Sequence, residues 1–150
     1  MESTSCQVSV TWMNGREGWA ESPGLQKPLK FSAPAEFGGR AGLWSPQSML
    51  VLAASSCFMS TLLTLAEGSK LSLVGFQADA EGQLEKIPDQ GYRFTEVVLR
   101  PRVEVAKDSD VGLAQQLLEK SEQACIVAKA LAVPVRVEPQ VKVVTPAVKV

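Results

Sequence analysis

The feature that most constrains this chain is the run SPQSMLVLAASSCFMSTLLTLAE at Ser45–Glu67, which contains no charged residue before its last position and belongs to the longest uncharged segment. Ser45 suits the N-cap of a helix, and Pro46 suits the first helical position because the N–H that proline lacks would be unpaired there. Gly68 marks the expected end. The run therefore predicts one long central helix with Cys57 near its middle.

A helix that is apolar on every side needs apolar surroundings on every side. A run of about twenty apolar and small residues is also long enough to cross a membrane. Serine and threonine side chains recur along this run, however, and no cluster of Lys or Arg flanks it to set an orientation. We therefore favour a helix wrapped by protein. One small sheet can hardly cover it, so we expect a second subunit, with Cys57 where two chains meet.

Composition narrows the class of protein. A length of 150 residues predicts a single domain. Apolar residues make up 45% and charged residues 21%, as in ordinary soluble domains. The net charge of −1 gives no reason to expect binding to nucleic acid or to an anionic membrane. The N-terminus, MESTSCQVSV, lacks a basic region followed by an apolar one, so no secretory signal is expected and the predicted compartment is the cytoplasm.

The cysteines and the absence of histidine limit the chemistry. Cys6, Cys57 and Cys125 are an odd number in a chain long enough to fold without disulfides, which argues against a structural disulfide framework. The chain has no histidine, so Ser-His-Asp and Cys-His nucleophiles are excluded, and no metal or other cofactor is expected. Cys57 and Cys125 are then either small core residues or a redox pair. Cys6 is interpreted as incidental.

Residues 1–43 read as an N-terminal β-meander followed by a loop. Gln7–Met13 alternates polar and apolar residues as a half-buried strand does, and Asn14-Gly15 turns the chain towards a second short strand. Leu29–Ser32 is the expected third strand. The glycine-rich segment Ala33–Leu43 is predicted to be irregular and to lead into the central helix, residues 45–67.

Residues 71–105 predict a β-hairpin. Its strands are Leu71–Gln83, with a bulge expected at Gly75, and Tyr92–Val105, joined by a turn at Pro88–Gly91. Pro101 interrupts the second strand, and because proline cannot donate to a ladder we expect an edge or bulged strand there.

Residues 109–132 predict a second helix, and residues 133–150 a last strand and tail. Asp108–Asp110 is the expected cap, Val111–Leu131 places its apolar residues mostly on one face, and Pro134 is the expected stop. Val135–Val143 reads as one strand, with fraying expected over Thr145–Val150. Strands before, between and after two long helices, without regular βαβ alternation, predict an α+β fold with no nucleotide-binding crevice.

Five short segments occur in a specific order along the chain. They are Gly15–Gly18 (GREG), Phe37–Gly39 (FGG), Ser45–Leu50 (SPQSML), Ala53–Phe58 (AASSCF) and Glu122–Val127 (EQACIV). In this order and spacing, from about Val8 to Val137, the chain resembles the OsmC/Ohr family of organic hydroperoxide reductases.

The resemblance implies an OsmC-like fold, in which two subunits interlock as a homodimer and a curved, antiparallel-rich sheet surrounds the helices. It implies that Cys57 is the peroxidatic cysteine, Cys125 the resolving one, and Arg16 the cation that stabilises the thiolate. Each residue type suits its role, because a thiolate is the reactive form of cysteine and an arginine keeps its charge.

The implied activity is a thiol-dependent peroxidase. The Cys57 thiolate would attack an organic hydroperoxide and become a sulfenic acid, and Cys125 would condense with it to a disulfide. A dithiol reductant, in this family often a lipoyl protein, would reopen the disulfide. An apolar pocket would favour alkyl or fatty-acid hydroperoxides; the residues expected to line it are Met49, Leu50, Phe58 and Phe37.

One position departs from the family pattern. The residue after the helix-opening proline is usually a glutamate that pairs with the arginine, and here it is Gln47. A neutral amide can accept a hydrogen bond from Arg16 but holds it less firmly than a carboxylate does. Glu17 or Glu36 is a possible substitute, and the departure points to a divergent OsmC-like branch. Two other functions stay open: a non-enzymatic protein that binds an apolar ligand, and a redox sensor.

Overall fold

The computed structural model of the protein describes residues 2–145. These residues form two compact units, residues 2–50 and residues 51–145, which are treated separately below. The tail expected to fray over Thr145–Val150 lies, from residue 146 onward, outside the described residues.

The first unit contains the predicted meander. Strands β1 (Ser9–Asn14), β2 (Glu17–Glu21) and β3 (Leu29–Ser32) form an antiparallel sheet in that order. Gly18 of β2 is buried, and a Cβ at this position would lie 2.9 Å from the Phe31 ring and 2.9 Å from a backbone oxygen of β1. The loop after β3 is less irregular than expected, since Ala35–Phe37 forms one 3-10 turn.

The long helix α1 spans Pro46–Gly68, as predicted. The Ser45 hydroxyl accepts the backbone N–H of Ser48 at 3.1 Å, and the Ser48 hydroxyl accepts the backbone N–H of Ser45 at 2.9 Å. Two otherwise unpaired N–H groups are satisfied in this reciprocal arrangement, which fixes the start of the helix. The predicted cap and first residue are therefore confirmed.

Helix α1 buries one stripe of side chains at a spacing of four residues. The stripe consists of Ala54, Phe58, Leu62 and Ala66. Elsewhere on the helix, Leu52, Met59 and Leu63 stay between 37% and 45% exposed. With a mean hydropathy of 1.9, α1 is long and apolar enough to cross a membrane, but core helices pass the same test. A single stripe of buried residues is the pattern of a helix packed on a protein core.

In the second unit, β4 (Leu73–Ile87) and β5 (Gly91–Val105) form the predicted antiparallel hairpin. The pairing register shifts between Leu73 and Gly75, which confirms the expected bulge. Strand β4 continues past its expected end at Gln83, because the residues beyond it pair with β5 although they do not alternate in polarity. A second register shift, between Gln83 and Leu84, was not predicted.

The prediction that Pro101 lies in an edge strand is wrong. Strand β5 is central, with β4 on one side and the short parallel strands β6 (Val135–Val137) and β7 (Gln140–Val143) on the other. The N–H of Val97 and the carbonyl of Leu99 bond towards the β6 side, and Pro101 follows in the same alternation. Pro101 faces the interval between β6 and β7, where β5 is paired with neither strand. The N–H that proline lacks would therefore make no hydrogen bond between strands there.

The end of the chain is more divided than predicted. The expected single last strand is two strands, β6 and β7, and the expected second helix is also two: α2 (Val111–Ala124) and α3 (Ile126–Ala130). Asp108–Asp110 forms a 3-10 turn, and Asp110 is the N-cap residue of α2, as predicted, but its side chain makes no capping hydrogen bond. The α+β, antiparallel-rich fold with two long helices is confirmed.

Candidate active site

The second unit brings Cys57 and Cys125 together. Cys57 is half-buried in the middle of α1, and Cys125 is completely buried at the junction of α2 and α3. The Cys125 sulfur lies 4.0 Å from the carbonyl oxygen of Ala54, one turn before Cys57, and the Cys125 thiol is close enough to the Cys57 sulfur to lower the pKa of Cys57. All three cysteines are free thiols in the structure.

A break in the helix positions Cys125. Its N–H donates to the carbonyl of Ser121 at 2.9 Å, as in a continuing helix. Its ψ of 111° is extended, however, so the chain leaves α2 and a new helix begins at Ile126. The break frees the N–H groups of Ile126 and Val127 from helical partners, and both donate to the Cys57 sulfur. The apolar pattern, which continues through this segment, predicted one helix and gave no sign of the break.

The surroundings shift the pKa values of the two thiols in opposite directions. Burial raises the pKa of the Cys57 thiol, but hydrogen bonds from the Val127 N–H, the Cys125 thiol and the Ile126 N–H lower it, and the net pKa is below its ordinary value. Burial is the main cause that raises the pKa of Cys125; the neighbouring Cys57 sulfur adds to the rise, and the backbone N–H groups of Ala128 and Val127 offset only part of it. Cys57 is therefore the more acidic thiol of the pair.

Thr61, one helical turn after Cys57, is a site residue to which the sequence analysis assigned no role. Its hydroxyl lies 2.8 Å from the Cys57 carbonyl oxygen and is also close enough to the Cys57 sulfur to lower the pKa of that thiol. The sequence signal that could have identified Thr61 is its spacing of four residues from Cys57, because residues at this spacing are neighbours on one face of a helix.

Arg16 belongs to the first unit, where its side chain is tied to the loop after β3. Its Nη1 donates to the carbonyl oxygen of Phe37, and its guanidinium packs against Gly38, whose φ of +78° favours glycine. Its own carbonyl accepts the N–H of Ala33 at 3.1 Å. The residue is exposed in the single chain, and a backbone carbonyl rather than a carboxylate holds the side chain.

The carboxylate next to Arg16 has other partners. Glu17 pairs with Lys30 at 3.0 Å and with Arg40 at 3.6 Å. The hydrogen bond from Lys30 is the main cause that holds the pKa of the Glu17 carboxyl below its ordinary value. Glu17 is thus engaged by two other cations.

Gln47 lies in the first turn of α1. Its Oε1 is buried and has no hydrogen-bond partner among residues 2–145, so the hydrogen bond that it could accept from Arg16 is not formed in this structure. Of the residues expected to line a pocket, Met49, Leu50 and Phe37 are half-buried. Phe58 is 1% exposed and belongs to the core.

Comparison with known proteins finds a family whose sequences match this chain. A family model described as OsmC-like protein matches residues 39–140. The uncharacterized protein YmaD of Bacillus subtilis is 30% identical over 129 residues, which cover 83% of this chain and 84% of YmaD.

Two solved structures share the fold. An OsmC-like protein of unknown function from Vibrio cholerae superposes with a TM-score of 0.82 at 21% identity, over 91% of this chain and 99% of that one. An organic hydroperoxide resistance protein from Legionella pneumophila, also described as a predicted redox protein, gives 0.74 at 23% identity, over 95% of this chain and 100% of that one.

Proposed function

The chain belongs to the OsmC-like protein family, and we propose that it is a thiol-dependent peroxidase that reduces organic hydroperoxides to alcohols. The observation that carries the proposal is the unequal pair of thiols in the second unit. A peroxidatic cysteine has to be a thiolate at neutral pH, whereas its resolving partner must be close and can stay protonated. The pKa of Cys57 is lowered and that of Cys125 is raised, which is the order that these two roles require. The name of the Legionella relative supports the substrate class.

The proposed reaction begins at the Cys57 sulfur. The thiolate attacks the terminal oxygen of ROOH, the O–O bond breaks, and the alkoxide takes a proton and leaves as ROH. Cys57 is then a sulfenic acid, oxidised by two electrons. The Cys125 thiol attacks this sulfur, an S–S bond forms, and the sulfenic oxygen leaves as water. A dithiol, such as a lipoyl protein, returns two electrons and two protons by exchange and becomes a disulfide itself.

The position of Cys125 explains why disulfide formation follows the oxidation of Cys57. Cys125 is completely buried, and the Cys57 sulfur is close enough to raise its pKa, so the resolving thiol is already near the atom that is oxidised. Disulfide geometry requires the two β-carbons to approach to about 3.5–4.5 Å. The extended backbone at Cys125, outside either helix, is a point where a small rotation can achieve this.

We propose that Arg16 is the cation of the active site and that Gln47 is its neutral partner. A buried acceptor without a donor costs about 1–3 kcal/mol, so the orphaned Oε1 of Gln47 favours the arrival of a donor. The Arg16 side chain has donors to offer beyond the one bound to Phe37. Met49, Leu50 and the ring of Phe37 are proposed to supply apolar contacts for the organic part of the hydroperoxide, with Phe58 supporting them from the core.

We further propose that the working form is a homodimer in the cytoplasm. The apolar residues of α1 outside its buried stripe remain exposed in the single chain, and Val10 and Trp12 of β1 are 68% and 75% exposed. Exposed apolar area of this kind on two separate elements favours cover by another protein surface. A second copy of the chain is the partner that the family resemblance implies.

The decisive experiment follows the thiols through one turnover. The reduced protein is treated with one equivalent of cumene hydroperoxide, remaining thiols are blocked, and peptides are analysed by mass spectrometry. We expect a Cys57–Cys125 disulfide, and multiple turnovers when dihydrolipoamide is added. Cys57→Ser should abolish consumption of the peroxide. Cys125→Ser should stop the reaction at the sulfenic acid, and Cys6→Ser, at an exposed thiol, is the matched control.

The same experiment separates the alternatives. Thiols left unmodified by the peroxide would contradict the proposal and leave a protein that binds an apolar ligand. A disulfide that forms once, without turnover under any dithiol, would indicate a redox sensor instead. Peroxide consumption that persists in Cys57→Ser would exclude the assigned nucleophile.

A further inference from the structure

We propose that Thr61 supplies the thiolate of Cys57 with a hydrogen-bond donor from within α1, its hydroxyl turning from the Cys57 carbonyl to the Cys57 sulfur when the thiol ionises. This inference rests on the proposed function, because it assigns a residue that prepares the reactive sulfur. It adds a donor that lies in the same unit as both cysteines and does not depend on Arg16.

The position of Thr61 fits this role. It lies one helical turn after Cys57, so the two side chains are neighbours on the same face. Its Oγ1 is 2.8 Å from the Cys57 carbonyl oxygen, and the residue is half-buried, which limits competition from water. The Ile126 and Val127 N–H groups reach the same sulfur from α3, so Thr61 completes a set of donors supplied by two elements.

The hydroxyl is free to change partners. A threonine hydroxyl carries one proton and can donate to only one acceptor at a time. The Cys57 carbonyl does not need that proton, because it is the regular helical acceptor for the N–H of Thr61. Hydrogen bonds to a charged acceptor are stronger than those to a neutral one, so a thiolate competes successfully with the carbonyl.

Other hydroxyls on α1 provide a comparison. Ser56, Ser60 and Thr64 each donate to the carbonyl four residues earlier, at 2.7, 2.8 and 2.9 Å. These residues are exposed, and none of them has a cysteine four positions earlier. Thr64 therefore makes the same bond as Thr61 without a sulfur in reach, and it serves as the matched control.

The test measures ionisation of Cys57 without any peroxide. In the full chain carrying Cys6→Ser, the rate of alkylation of Cys57 by iodoacetamide is followed by mass spectrometry from pH 5 to pH 10. We expect Thr61→Val, which keeps the shape and removes the hydroxyl, to move the profile to higher pH. Alkylation at pH 6 should be slower, by on the order of tenfold to a hundredfold for one lost bond to a charged group. Thr61→Ser should restore the parent profile, and Thr64→Val should not change it.

An unshifted profile in Thr61→Val, or an equal shift in Thr61→Ser, would overturn the proposal. Circular dichroism checks that each variant folds, and Thr61→Ala replaces Thr61→Val if that variant does not. Because alkylation reports the thiolate alone, it distinguishes this inference from the peroxidase proposal. If Thr61→Val shifts the profile but the protein does not turn over hydroperoxide, the role of Thr61 is supported and the peroxidase proposal is rejected. If the profile is unshifted in a protein that is an active peroxidase, the role of Thr61 is rejected and the peroxidase proposal stands.

Discussion

Replacing Phe58 tests whether this residue is part of the core or a wall of the substrate pocket. Phe58 directly follows Cys57, and we expected it to line a substrate pocket. In the structure it is only 1% exposed and belongs to the buried stripe of α1. Truncation of a buried phenylalanine to alanine costs about 3–5 kcal/mol, a large part of the roughly 5–15 kcal/mol that stabilises a typical domain. Phe58→Leu is the better perturbation, because a smaller void of this kind costs about 1–2 kcal/mol and leaves a folded protein to assay.

Urea unfolding followed by circular dichroism measures the effect. With a denaturant slope of about 1–3 kcal/mol/M, a loss of this size should lower the midpoint of Phe58→Leu by roughly 0.3–2 M. Met59→Leu is the control, since Met59 is 37% exposed and this exchange nearly conserves volume; we expect a change below about 0.5 kcal/mol. Titrations at several protein concentrations show whether association contributes to either value. An unchanged midpoint in Phe58→Leu, together with an altered KM for cumene hydroperoxide, would refute the core assignment.

Three further predictions concern positions outside the cysteine site. Gly82→Ala should lower the free energy of unfolding by about 1–3 kcal/mol in urea titrations, because the added Cβ would lie 2.6 and 2.7 Å from two side chains. Gly112→Ala is the control: an added Cβ there would have nothing within 4 Å, so this variant should be as stable as the parent or more stable. Equal effects of the two substitutions would contradict this packing. Gly39→Ala should destabilise or unfold the chain, since its Cβ would lie 1.7 Å from a backbone oxygen; a normal urea midpoint would show that the loop is not packed as described. Because the pair with Lys30 depresses the pKa of Glu17, the stabilisation it provides is present above the ordinary glutamate pKa and is lost as the pH falls through the depressed value. Glu17→Gln should thus be less stable than the parent at pH 7 and equally stable at strongly acidic pH; a difference that persists in acid would exclude the ion pair as its cause.

The sequence by itself determined the features that depend on neighbours along the chain. Ser45 and Pro46 fix the start of α1 through local hydrogen bonds, so the helix could be predicted closely. The meander and the hairpin followed from alternation and turn residues, and β3 was predicted to the residue. The position of Cys57 in the middle of α1 was part of the same local pattern.

Only the tertiary structure decided features that depend on distant partners. Pro101 is acceptable in a central strand because β6 and β7 leave an interval opposite it, which is a property of three strands together. The helix break at Cys125 lies within a sequence that is locally helical, and its backbone N–H groups find their acceptor on another helix. Which thiol ionises first was likewise decided by packing, because burial and hydrogen bonds across helices, rather than the residue type, separate the pKa values of Cys57 and Cys125.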